Sequence, residues 1–529
     1  MSELLGRTDL WVIFAYLVGM LVIAFRVSSG SRDVEGYTVG NRQMSGTLIG
    51  LSVLGTFLSS ITFLGLPAKT YQADWNAFVF GLALPFAALV ATFYFVPLYR
   101  SRIKLSAYEF LEQRFGVWAR WYADLSYLAL QLIRVGTVLL LVAFAVEPML
   151  DAVPKTMVGR ATASGSIDHI FRMAAILVVL GTLVIIYDTL GGIRAVIWTD
   201  GVQVVVLLIG GLWCLIAVIL QWQGGVSDFF TSLPAEKLSL GPLTNRDPIS
   251  GIWDWGIPSA AVVLLYGFTE NLRNYGTDQN YVQRTLAARS DGEAAKSIWI
   301  GALTYVPLSA IFCLIGTGLW MVAHQGGAGI PEGIEADQVF PYFIRHSLPN
   351  PIAGLVIAAI LAAAMSTVDS SLNSCSTVLL ADVIRPLRLA PARIPEIVVI
   401  RICTVVFGIV GTSTAVLLLL IKGQDQSKVL MDLWWQYAGT AGGGMFGLFL
   451  LAWLMPKVPS WCAAVGVVLS IPALVWGTFA RDIESAAWQW MECPLHPFLV
   501  GILGTGIILM VGTLSMAAVR AGVLSPNPN

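Results

Sequence analysis

The densest group of side chains able to do chemistry lies between Ile357 and Ser374, IAAILAAAMSTVDSSLNS, where a small-residue apolar run turns into hydroxyls around one carboxylate. At about 100° per residue, Ser366, Asp369 and Ser370 fall within roughly one third of a helix circumference, with Thr367 on its flank. Such a face offers hard oxygen ligands to a small hard cation, and a carboxylate at membrane depth is a functional candidate by default. The same residues also suit a plainer role, in which the hydroxyls bond back to their own helix and Asp369 sits at the cytoplasmic interface. A second candidate is Arg134, alone in the apolar stretch YLALQLIRVGTVLLLV. Its guanidinium either faces a water-filled cavity and awaits an anion, or pairs with a protein carboxylate such as Glu270 or Asp124.

Covalent chemistry has little to draw on. Cys214, Cys313, Cys375, Cys403, Cys462 and Cys493 are scattered without a CxxC pair, and the four histidines form no HExxH. Neither a disulfide framework nor a zinc site is expected, and no nucleophile stands beside a base. An enzyme is therefore not expected.

The elements that must hold these residues are membrane helices. Of 529 residues 57% are hydrophobic and only 12% charged, against about 25% charge in a soluble domain. Apolar runs long enough to span occur at about 13 places, beginning with 10–25 and ending with 497–519. The start lacks a basic segment before its apolar run and reads as a retained first span. Lys and Arg number about 18 in one set of loops and roughly 10 in the other, which predicts the N-terminus outside and the C-terminus in the cytoplasm. That count places Arg284 and Arg289 in an inner loop and treats SAYEFLEQRFGVWARW and QRTLAARSDGEAAKS as interfacial elements. No soluble domain is expected, and the net charge of -1 points to no nucleic-acid partner.

Two spans look broken. Segment 44–72 carries Gly46, Gly50, Gly55, Gly65 and Pro67, with Gly55, Ser59 and Thr62 on one face. Segment 257–280 puts Glu270, Asn271, Arg273 and Asn274 where hydrocarbon is expected. Two interruptions separated by four spans fit a five-plus-five inverted repeat, in which unwound carbonyls face a cation and helix N-termini face a substrate. Each broken span taken alone is equally explained by close packing of small residues.

The stretches AAAMSTVDSSLNS, TDGVQ and TDQNYVQRTLAARS resemble the sodium:solute symporter family, and LSSITFLGLPAKTYQADW is similar to bacterial sialic acid symporters. The resemblance runs from about residue 10 to the last span and implies an all-α polytopic membrane protein of LeuT type. A leading helix (10–25) would precede repeats at 44–222 and 257–455, with trailing helices at 461–519, in a single membrane domain. It further implies a sodium site from the carbonyls of Gly55, Leu58 and Ala363 and the hydroxyls of Ser366 and Thr367. A second sodium site would use Asp200, Ser366, Asp369 and Ser370, where Asp369 stands in place of a serine. Arg134, helped by Ser59 and Thr62, would take a substrate carboxylate. Asn271, similar to a residue of the sugar-carrying members, joins the candidate substrate ligands. Gly81 replaces a glutamine and Ala77 an aromatic residue of the sialic acid members, and Thr304 stands where the sugar carriers have lysine.

The expected activity is sodium-coupled import of a small organic anion by alternating access, with a sialic acid foremost. A monocarboxylate, an amino acid, pantothenate, a sugar, or a sensor built on the same fold are the alternatives. Sodium, the anion and the lipid bilayer are the expected partners of a monomer or weak oligomer in the bacterial inner membrane. Trp434, Trp435 and Tyr437 beside GTAGGG suggest either a lid next to a hinge or an interfacial belt, and Asp432 a charge at the outer mouth.

Overall fold

The computed structural model describes residues 6–28, 33–150, 167–246, 251, 253–325, 329–331, 333–391, 393–422, 430–480, 489–523 and 525. Among these residues there are helices and no strand. The helices used below are α1 (Arg7–Ser28), α2 (Gly46–Phe57), α3 (Ser60–Gln72), α4 (Trp75–Arg102), α5 (Val117–Glu147), α6 (Ile170–Ile186) and α7 (Gly191–Gln221). They continue with α8 (Ala260–Thr277), α9 (Gln279–Ala287), α10 (Asp291–His324), α11 (Ala336–Ser347), α12 (Ile352–Leu387), α13 (Glu396–Ile421), α14 (Leu430–Leu454), α15 (Ser460–Phe479) and α16 (Pro497–Arg520). Ten of them are long and apolar enough to cross a membrane, and the bent pair α2 and α3 makes up to 11. Two further apolar runs of the sequence correspond to α6, which is shorter, and α8, which carries charge.

The break between α2 and α3 bends the chain by 50°. Its cause is local: Leu58 leaves the helical region at φ -85, ψ 65, and the Ser59 hydroxyl caps the next helix by accepting from the Ile61 N–H. The second interruption falls later than the sequence suggested. α8 runs unbroken through Glu270, Asn271, Arg273 and Asn274 and stops at Asp278, whose side chain accepts from the Asn280 N–H to start α9. Spacing explains the difference. At i, i+3 the Arg273 guanidinium reaches both Glu270 oxygens, so the two charges are paired along the helix without unwinding it.

Two other expectations change. Every residue of α9 is buried, so Arg284 belongs to the interior, not to an interfacial inner loop. α14 continues through GTAGGG without a hinge. A Cβ on Gly442 would lie 2.6 Å from the Arg273 side chain, so this glycine is where α8 and its arginine come close.

α12 is buried along most of its length and packs on α7, while α1 lies on the outside of both. The Asp9 carboxylate of α1 accepts from the Gly354 N–H of α12 at 2.8 Å, and the Tyr16 hydroxyl reaches the Met365 sulfur at 3.7 Å.

Candidate functional site

The break frees backbone carbonyls, and their fates differ. Thr56 O accepts from Arg134 Nη2 at 2.9 Å, and Phe57 O accepts from the Thr62 hydroxyl at 2.9 Å. No hydrogen bond among the described residues reaches the carbonyls of Gly55 or Leu58. These are the two carbonyls assigned by resemblance to a cation. Opposite them stands α12: a Cβ on Gly55 would lie 2.8 Å from Ser366 Oγ and 3.1 Å from Val204, so only glycine lets α2 approach this closely. The Thr367 hydroxyl sits 3.1 Å from Ala363 O. The α12 hydroxyls of Thr367 and Ser370 bond back to Ala363 O and Ser366 O of their own helix, and oxygen groups of these kinds, with the carbonyls at the break, are the donor types that fit a small hard cation such as sodium.

Next to this group lies a polar hub. Asp200, fully buried on α7, accepts from Ser52, from Ser366 and from Arg284 Nη2, the last at 2.9 Å. The Arg284 guanidinium also donates to Ser52 at 2.7 Å, to Ser370 and to Asn280 O. The structure thus gathers Asp200, Ser366 and Ser370 of the expected second cation site around Arg284. Asp369 is buried one turn from Ser366 and lies near Tyr16 of α1. Sequence reasoning missed Arg284, because the partners that hold it come from three other helices. Asp369→Asn is expected to raise the sodium concentration for half-maximal transport roughly fivefold, the loss of about 1 kcal/mol of attraction. An unchanged sodium curve in a proteoliposome assay removes Asp369 from cation binding.

A cavity with ≈ 650 Å³ of empty space, its opening included, lies beside the break. Ser59, Thr62 and Arg134 line it, as expected, together with Phe80, Glu270, Asn274, Tyr281, Tyr305, Trp434 and Trp435. Asn271 does not: its amide donates to the Phe80 backbone carbonyl at 3.3 Å. Arg134 pairs with neither carboxylate considered from the sequence. Its closest one is Asp278 at 3.8 Å, beyond hydrogen-bond reach, and Asp278 is already held by Gln131 and the Asn280 N–H. The guanidinium and Asp278 thus form a long ion pair, the Tyr281 hydroxyl is a further partner, and the N-terminus of α3 adds its own positive end nearby.

One wall of the cavity comes from α14. Trp434 lies over Arg134 at 5.9 Å, and Trp435 stacks on Phe80 at 5.1 Å with its carbonyl held by the Tyr266 hydroxyl. Asp432, read from sequence as an outer charge, is paired with Lys69 of α3 at 2.7 Å, so it ties α14 to the broken helix.

Comparison with known proteins agrees with this geometry. The chain is 31% identical over 514 residues to the sodium/sialic acid symporter SiaT of Proteus mirabilis, covering 96% of this chain and 95% of that one. It is 28% identical to the sodium/sialic acid symporter NanT of Aliivibrio fischeri, covering 97% and 94%. The human sodium-coupled monocarboxylate transporter 2 is 27% identical, over 87% of this chain and 70% of its own. A solved sodium-coupled sialic acid symporter, substrate-bound and outward-open, superposes with a TM-score of 0.81 at 28% identity, covering 99% of this chain and all of its own. Mhp1, a nucleobase-cation-symport-1 transporter, shares the fold with a TM-score of 0.56 at 14% identity, over 92% of this chain and 96% of its own. That arrangement is the LeuT type. The model of the sodium:solute symporter family matches residues 37–469, and the chain belongs to that family, with sodium as its coupling ion.

Proposed function

We propose that this symporter imports a sialic acid by alternating access, with the substrate carboxylate on Arg134, Ser59 and Thr62. The observation that carries this reading is the position of Arg134: it lines the cavity while donating to Thr56 O, one residue from the Gly55 carbonyl. Anion and cation would thereby meet at the last turn of α2, just before the break. Sodium held by Gly55, Leu58, Ala363, Ser366 and Thr367 would tie the broken helix to α12, favour one conformation, and fix the carbonyls around which Arg134 is oriented. Each ligand then raises the affinity for the other, which is the coupling that symport requires. Asp200, Asp369 and Ser370, with Ser366, form the second cation site in this reading. The N-terminus outside, the C-terminus in the cytoplasm and a place in the bacterial inner membrane complete it.

The kinship with sodium-coupled monocarboxylate transporters supports a second reading, in which a shorter carboxylate occupies the Arg134 end alone. Uptake of labelled N-acetylneuraminic acid, pyruvate, proline and glucose into proteoliposomes, with and without an inward sodium gradient, separates the two. Sodium-dependent accumulation of the sialic acid supports the first reading. Accumulation of pyruvate alone supports the second, and proline or glucose alone would overturn both. In the same assay Thr367→Ala is expected to raise the half-saturating sodium concentration about tenfold or more, whichever anion is carried. A normal sodium curve in that variant would remove the hydroxyl from the cation site.

A further inference from the structure

The cavity has a polar feature that the proposed carboxylate site does not use. Glu270 lines it together with Asn274, one turn along α8. Tyr266, whose ring meets those of Phe80, Trp435 and Phe498, lies close to Glu270, while Arg134 lies against Trp434. Glu270 is 7% exposed and gripped by Arg273 through both oxygens, one at 2.8 Å, and Arg273 Nη2 also donates to the Asn274 side-chain Oδ1 at 2.9 Å. The guanidinium is itself fixed by packing against Gly442. Glu270 is thus a rigid carboxylate presented to the same cavity that Arg134 lines.

Resting on the sialic acid reading, we infer that Glu270 is a specificity-determining residue that accepts hydrogen bonds from hydroxyl groups of the substrate remote from its carboxylate. Arg273 is the residue that positions it. The chemistry selects the class of ligand. An ionised carboxylate only accepts, and each oxygen bound to Arg273 retains a further lone pair, so the substrate must bring donors. Because Arg273 already neutralises Glu270, neutral hydroxyls suit it better than an ammonium group, which would add a second cation beside Arg273. A short monocarboxylate on Arg134 would leave the remaining lone pairs of Glu270, which Arg273 does not fill, without a substrate donor, which a polyhydroxylated acid supplies. Nearby Gly81 contributes no side chain, since the Tyr305 ring stands 2.9 Å from where its Cβ would be.

The test uses the full-length protein in proteoliposomes with N-acetylneuraminic acid, its seven-carbon analogue lacking the C8 and C9 hydroxyls, and its 4-deoxy analogue. Glu270→Gln is expected to raise KM for the full acid about tenfold with little change in maximal rate. KM for whichever analogue lacks the bonded hydroxyl should be unchanged by the substitution. Equal rises for all three ligands would overturn the inference. Because Glu270→Gln leaves Arg273 without its buried partner, the double variant Glu270→Gln with Arg273→Met is measured alongside for thermal stability and KM. Recovered stability with KM still raised supports recognition, whereas KM returning to the wild-type value as stability recovers assigns Glu270 a structural role only. Wild-type protein that shows no sodium-dependent uptake of N-acetylneuraminic acid would overturn the underlying reading, and this inference with it.

Discussion

Arg134→Ala is expected to lower sodium-dependent anion uptake by about a hundredfold or more, while sodium alone still stabilises the protein against heat. The two halves of this outcome have separate origins. A bidentate, charge-assisted pair between guanidinium and carboxylate contributes about 1.5–3 kcal/mol. In a cavity closed over by Trp434, losing it also leaves the bound carboxylate desolvated without a counter-charge. The carbonyls of Gly55 and Leu58 and the hydroxyls of Ser366 and Thr367 do not touch Arg134, so cation binding should survive in weakened form. Arg134→Lys keeps the charge but loses the fork, and should recover only part of the uptake. If Arg134→Ala instead gives unfolded protein, and Asp278→Asn restores it, the arginine's main task is its 3.8 Å neighbourhood with Asp278, and the substrate assignment falls.

The second large effect belongs to Arg284. Removing the guanidinium as Arg284→Gln is expected to destabilise the folded protein by about 3–5 kcal/mol, because Asp200 is then a buried charge without its cation. Ser52 and Ser366 still donate to it, so the carboxylate is not bare, but two neutral hydroxyls do not neutralise it. A distinctive signature should follow: sodium ought to stabilise Arg284→Gln more than the wild type, since the ion can take up charge that the arginine held. Thermal unfolding in detergent with sodium against choline measures both. A wild-type melting temperature in choline would show that Asp200 does not depend on Arg284.

What was legible from sequence follows a physical pattern. The hydroxyl face of α12, the glycine and serine at the break, and Arg134 all announce themselves within one segment, through periodicity or through a charge set in an apolar run. The buried hub does not. Arg284 and Asp200 lie 84 residues apart, and α9 buries polar side chains such as Gln283 and Arg284 against polar groups of other helices, so hydropathy reads it as surface. The same cause hid Asp278, the carboxylate nearest Arg134. α8 misled in the opposite direction. Its charges looked like a break in the helix, yet their i, i+3 spacing makes them a self-contained pair that leaves the backbone helical. Asn271 shares that helix but points its amide at the Phe80 carbonyl, and only the three-dimensional register separates it from the cavity-facing Glu270 and Asn274.

The docking of α1 has a practical consequence for watching the protein work. Through Asp9 on Gly354 and Tyr16 on Met365, α1 is fastened to α12, and Gly354 leaves no room between the helices, since its Cβ would stand 2.5 Å from the Asp9 backbone. The leading helix is therefore a built-in fiducial. Spin labels on its exposed face, for example at Phe14 or Val18, should keep a constant distance to labels at the outer face of α7 in every ligand state, while distances to labels on α14 change. Pulsed electron resonance referenced to that helix would record any movement of α14 directly, with no need to superpose whole molecules.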